Sequence, residues 1–194
     1  MLTLSDCAVA FKEWAAVCAA LASGRQTIII RKGGIHEGLD GFRVAHREFW
    51  LLPTYLHQSP ESLVPDARPL LEDALRRAPA AEVIRVEHFV TVEEVFEVQK
   101  LEAMAGLASQ HILAAATVEQ RFHYRQPGLF VLVGRVYQAT KSIEFPATPY
   151  IAGCRSWVDL PRTIPTMPLA SVLADEEFSR RLGAVRSALS PAVK

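Results

Sequence analysis

The stretch Gln26-Thr27-Ile28-Ile29-Ile30-Arg31-Lys32-Gly33-Gly34 sets three isoleucines in succession between Gly24 and a pair of glycines. A short, uninterrupted apolar run rich in β-branched residues and closed by glycines reads as a strand covered on both faces. Such a strand needs a layer on each side, so the segments around it should include helices. Upstream, Phe11, Trp14, Ala15, Cys18, Leu21 and Ala22 fall at helical spacing. That spacing predicts a helix from Cys7 to Ala22, capped by Asp6 and ended at Gly24, with Trp14 and Cys18 one turn apart in the core.

Downstream, Phe42–Val44 and Glu48–Leu52 read as further strands, and Pro53 to Pro65 reads as a long loop. Asp66 is placed to cap a second helix, with Leu71, Ala74, Leu75 and Ala78 facing inward and Pro79 stopping it. Val83–Val90 is strand-like, and Glu94–Ala108 drifts into helical spacing. Thr117 and Gln120 fit a capping box that opens a short helix. Leu129–Gln138 is a strand expected to lie centrally, and Asp175 caps a last amphipathic helix through Phe178, Leu182, Val185 and Leu189, supported by Glu176–Arg180 and Glu177–Arg181 pairs. Helices and strands occur in both halves without strict alternation. The expectation is one α+β domain over residues 1–194, with a mixed, mainly antiparallel, barrel-like sheet and four to five helices.

Composition narrows the function classes. Half of the residues are hydrophobic and 22% are charged, which suits a chain of 194 residues that builds its own core. Lys plus Arg and Asp plus Glu are 21 each, so no global field holds a polyanion, and any such binding must come from a local patch. Cys7, Cys18 and Cys154 lack C-x-x-C spacing, and the six histidines show no H-x-x-x-H or H-E-x-x-H pairing. Neither a disulfide framework nor a metal site is expected, no cofactor is implied, and a reducing, cytoplasmic setting fits. The longest apolar run, Trp14 to Ala22, is far short of the ~20 residues a bilayer requires, so no membrane span is read.

Two constellations carry chemistry. Arg31-Lys32-Gly33-Gly34 sets two cations beside a glycine turn whose amides can approach an anion. His46, Arg47 and Glu48, with His57 beyond Pro53, gather titratable groups near one end of a strand, as acid–base work or anion binding requires. Arg31, Lys32, Arg47, His46 and His57 are therefore the candidate ligand-binding residues. Glu13, Asp40 and Glu48 are the candidate catalytic carboxylates, should they converge on a metal ion.

Phe11-Lys12-Glu13-Trp14, Arg31-Lys32-Gly33-Gly34-Ile35, His46-Arg47-Glu48-Phe49, Leu52-Pro53-Thr54 and His57-Gln58 together resemble a prokaryotic family catalogued as domain of unknown function 1802. The later Gly134-Arg135-Val136-Tyr137 and Gly153-Cys154-Arg155-Ser156-Trp157-Val158 are similar to that family too. The resemblance implies no activity. A partial likeness, over Ala22-Ser23-Gly24-Arg25-Gln26-Thr27 through Arg31, is to RNA-associated domains of the PUA and ASCH type. The leading expectation is a binding module for nucleic acid or a nucleotide-like anion. Its rivals are a metal-dependent hydrolase or nuclease and a non-catalytic protein-interaction subunit.

Overall fold

A computed structural model describes residues 3–32, 45–153 and 155–190. Among these residues the elements run β1 (Asp6–Trp14), α1 (Ala15–Ala22), β2 (Ile28–Arg31), β3 (Glu48–Thr54), α2 (Arg68–Arg76), β4 (Val83–Val98), α3 (Ala115–His123), β5 (Leu129–Pro146), α4 (Pro149–Ala152), β6 (Trp157–Pro165), β7 (Leu169–Ser171) and α5 (Asp175–Leu189). Short 3-10 turns occupy Pro60–Ser62, Pro65–Ala67 and Leu101–Leu107. The sheet order is β2-β5-β4-β3-β1-β6, and β7 pairs with β5 beyond β2. Among the described residues only β1 and β3 pair in parallel; the other ladders are antiparallel, and the sheet they form does not close into a barrel. This is the expected α+β class.

Ile28, Ile29 and Ile30 are all buried, as a strand covered on both faces requires. Two cores lie on opposite faces of the central strands. Phe11, Phe49, Leu51, Val90 and Val131 join α1, α3 and α5 in the larger one. Ala10, Trp50, Leu52, Phe89 and Tyr137 join residues of β6 in the smaller one.

That double coverage explains the main departure from the sequence reading. Cys7–Trp14 is a strand, and the helix begins only at Ala15. Because β1 lies between β3 and β6 with a core on each face, Ala10 and Phe11 are both buried, and the apolar positions lose the alternation that marks a strand. Glu94–Val98 likewise continues β4 opposite Leu129–Val133 of β5, and the helical turn beyond it is a 3-10 segment. Bulges between Val86 and His88 and between Val92 and Glu94 bend the long β4–β5 hairpin, which blurred its period.

Smaller corrections follow the same logic. Pro53 lies inside β3, and the supposed loop to Pro65 contains one 3-10 turn and ends where a second begins. Asp66 lies in the second of these turns and ion-pairs with Arg25, while Ala67 takes the cap position of α2; Leu75 is exposed. Helix α3 starts at Ala115, and Thr117 donates its hydroxyl to the Ser62 carbonyl at 3.0 Å instead of capping. Asp175 lies in the first turn of α5 and ion-pairs with Arg135; Glu177 pairs with both Arg180 and Arg181. The strand expected at Phe42–Val44 lies outside the described residues.

His111 sits before α3, only 9% exposed, and its Nδ1 accepts the Leu113 amide at 3.2 Å. Burial lowers its pKa from the ordinary 6.5 to about 4, with the Leu113 bond opposing and Arg121 adding slightly. Its contribution to stability is therefore complete above pH 6.5. As pH falls from there toward 4, the unfolded chain takes up a proton that the folded chain refuses, and stability declines. The loss is expected to reach at most about 3 kcal/mol. Urea unfolding at pH 7 and pH 4.5 checks this: His111→Asn should lose less stability over that interval than the wild type, and equal losses would refute the assignment.

Candidate nucleic-acid interface

Arg31, the last residue of β2, meets β1 across the curl of the sheet. The two strands share no ladder and are separated in strand order by β5, β4 and β3. Even so, the Arg31 guanidinium spans the gap between them. Its Nη1 donates to Glu13 Oε2 at 3.3 Å and its Nη2 to Ser156 Oγ at 2.6 Å, while its Cζ lies 4.7 Å from the centre of the Phe11 ring. The Glu13 side chain is 1% exposed, and its other oxygen accepts the Trp14 amide at 2.8 Å.

A second guanidinium approaches from α3. Arg121 donates to the Ile30 carbonyl at 2.9 Å and lies 4.3 Å over the Trp14 ring. Burial lowers its pKa, Glu13 opposes the shift and Arg31 adds to it, so the three charged groups share one electrostatic environment. Trp157 closes the other side, with ring centres 4.6 Å from Phe11, 5.0 Å from Phe49 and 5.2 Å from His46. Arg31 Nε and Trp157 Nε1 are both buried with no hydrogen-bond partner among the described residues. Buried donors are normally satisfied, so two orphaned beside one ring cluster mark a place where an acceptor is wanted.

The structure brings only some of the sequence candidates together. Arg31 and Glu13 touch, and His46 reaches the group through Trp157. Lys32 turns away and donates to the carbonyls of Phe122, Gln126 and Gly128 at the end of α3, where burial lowers its pKa. Arg47 reaches toward the Val92 and Glu93 carbonyls at 3.4 and 3.5 Å. His57 is exposed, in a turn where its φ is 60°. Next to it, Gln58 accepts the Ala16 amide at the start of α1.

Glu48 fastens the N-terminal segment by accepting the Thr3 and Leu4 amides at 2.7 and 2.9 Å. In the parallel β1–β3 register Glu13 lies opposite Pro53, at the far end of β3 from Glu48, so the two carboxylates do not converge. Asp40 and Cys154 lie outside the described residues, and among the described residues no cluster of three metal-ligating side chains occurs. Among the described residues, no helix is long and apolar enough to cross a membrane.

Arg121 and Ser156 are the members of this cluster that the sequence reading passed over. Arg121 follows the buried Val118 by three residues and immediately precedes the buried Phe122, so it borders the inward face of α3. That spacing was the available signal.

The chain belongs to the family described as domain of unknown function DUF1802, whose match covers residues 10–184. No curated protein matches it. It is similar to crystal structures of ASCH from Zymomonas mobilis. The unsubstituted protein shares 13% identity at a TM-score of 0.39, covering 90% of this chain and 93% of that one. A single-substitution mutant of the same protein shares 12% identity at a TM-score of 0.41, covering 90% and 96%.

Proposed function

Taking membership of that family as the premise, we propose that the chain is a binding module for single-stranded nucleic acid, seated at the gap between β1 and β2. The observation that carries this reading is the pairing of two guanidinium groups, Arg31 and Arg121, with a single buried carboxylate, Glu13. One positive charge is left over in a poorly solvated place, where a phosphate offsets it more strongly than in open water. The Arg31 side chain keeps 19% exposure, through which its guanidinium can meet phosphate or base oxygens. His46, exposed beside Trp157, brings a ring to the same gap, and bases stack on such rings with little regard to sequence.

The test is a fluorescence-anisotropy titration against short single-stranded and duplex RNA and DNA over a series of salt concentrations. Single strands should bind more tightly than duplex. Replacing Arg31 or Arg121 with Gln should each lower the slope of log affinity against log salt by about 0.7. Lys32→Ala should leave the slope nearly unchanged, because its ammonium is held by three carbonyls. Absence of any binding at ~50 mM salt, where electrostatic attraction is strong, would overturn the reading in favour of a protein-interaction subunit.

A further inference from the structure

We infer that the nucleic-acid surface extends to both sides of the arginine gap, onto Tyr124 with Arg125 on one flank and Tyr150 with Arg155 on the other, where bases of a single strand stack. The inference rests on the reading of the gap as a single-strand site and adds its extent. A ligand that reaches both flanks has about three nucleotides or more, one for each pair and one for the gap.

Among the described residues, Tyr124 and Tyr150 are the tyrosines that stand exposed, at 47% and 44%. Each has a guanidinium over its ring. Arg125 Cζ lies 5.3 Å from the centre of Tyr124, and Arg155 Cζ lies 5.1 Å from the centre of Tyr150. Both arginines are exposed, and neither guanidinium has a hydrogen-bond acceptor or carboxylate partner among the described residues. Their N–H donors remain open to a ligand.

Both pairs are tethered to Arg31. On the α3 side, Tyr124 follows Arg121 by about one helical turn. Lys32, the neighbour of Arg31, donates to the carbonyls of Phe122, Gln126 and Gly128, which bracket Tyr124 and Arg125 in sequence. The Gln126 amide closes the turn on the Tyr124 carbonyl at 2.9 Å, and Arg125 takes a φ of 63°. Left-handed backbone at a residue other than glycine is strained, and the strained residue is the one whose guanidinium lies over the exposed ring. On the β6 side, Arg31 Nη2 donates to Ser156 Oγ at 2.6 Å, and Arg155 is the preceding residue. Tyr150 is seated by the buried Ile151 beside it, and its hydroxyl donates to Asp159 Oδ2 at 3.4 Å, at the edge of the ring and not at its face.

This chemistry fits a single strand. An exposed ring accepts an unpaired base by stacking, and the guanidinium over it meets the adjoining phosphate. The bases of a duplex are already stacked on one another, and an acidic peptide would use the arginines without needing the rings. With zero formal net charge on the chain, Arg125 and Arg155 enlarge the local patch on which any polyanion binding depends.

The experiment is a fluorescence-anisotropy titration of the full chain with a labelled uridine octanucleotide and with a labelled octaglutamate peptide. Tyr124→Leu and Tyr150→Leu keep an apolar side chain at an exposed position and remove the ring. Each should weaken octanucleotide binding about fivefold or more without changing the salt slope or the melting temperature. Tyr124→Phe and Tyr150→Phe should bind as the wild type does. Arg125→Gln and Arg155→Gln should each lower the slope of log affinity against log salt by about 0.7. Unchanged affinity in either Leu variant, an equal loss in the Phe variants, or octaglutamate binding with the same dependence on the tyrosines would overturn the flanking sites. If Arg31→Gln still lowers the slope in that event, the reading of the gap stands without them. No binding of the octanucleotide by the wild type at ~50 mM salt would overturn both.

Discussion

Replacement of Arg31 by methionine is expected to destabilise the fold by about 3 to 5 kcal/mol at pH 7, as removal of one partner from a buried ion pair does. The cost comes from the group left behind. Glu13 is 1% exposed, so without Arg31 its carboxylate stays buried, with the Trp14 amide as its bonded donor and Arg121 as a neighbouring charge. Arg31 also ties β2 to Ser156 and to Glu13 of β1 across a gap that no ladder closes. Glu13→Gln should cost less, because the 19% exposed guanidinium keeps Ser156 and the Phe11 ring face. The double variant, Glu13→Gln with Arg31→Met, should cost less than the sum of the singles by about 1 to 3 kcal/mol, the coupling expected of groups in direct contact. Urea unfolding of the four proteins measures the cycle. A cost below about 1 kcal/mol for Arg31→Met would mean that apolar packing alone holds β1 and β2 together.

The legible parts of the fold were those with one dominant periodicity or an unmistakable boundary. Ile28–Ile30 between glycines, the apolar run of Leu129–Val133 and the amphipathic α5 all needed little tertiary information. Strand β1 was not legible, because burial of both faces erased its alternation and its alanines suit a helix as well as a strand. The candidate site was half legible for a related reason. Arg31 and Glu13 stand out as charges at the ends of apolar runs, but the curl that joins them depends on five strands between residues 6 and 146. Glu48 shows the opposite failure. Its neighbours His46 and Arg47 suggested acid–base chemistry, whereas its oxygens satisfy two amides of the preceding chain, as a buried carboxylate must.

The same tertiary override reorders the tryptophans, and Trp50→Ala is expected to cost about 3 to 5 kcal/mol. On the helical reading, Trp14 was the buried anchor. As the last residue of β1 it is only partly buried, with Arg121 across its face, so its truncation should cost about 1 to 2 kcal/mol, in line with partial burial of an aromatic ring. Trp50 is wholly buried in the smaller core, 5.1 Å from the Phe89 ring in an edge-on contact, and its Nε1 donates to the Cys7 carbonyl at 3.3 Å. Alanine there opens a cavity under β1, β4 and β6 and leaves a buried carbonyl short of its donor; each effect destabilises, and the surrounding strands, held by ladders on both sides, have little freedom to collapse inward. Urea unfolding of Trp14→Ala and Trp50→Ala decides between the two arrangements. Equal costs would restore Trp14 to the core and contradict β1 as a strand, whereas a gap of about 2 kcal/mol or more in favour of Trp50 is what a central strand with a core on each face requires.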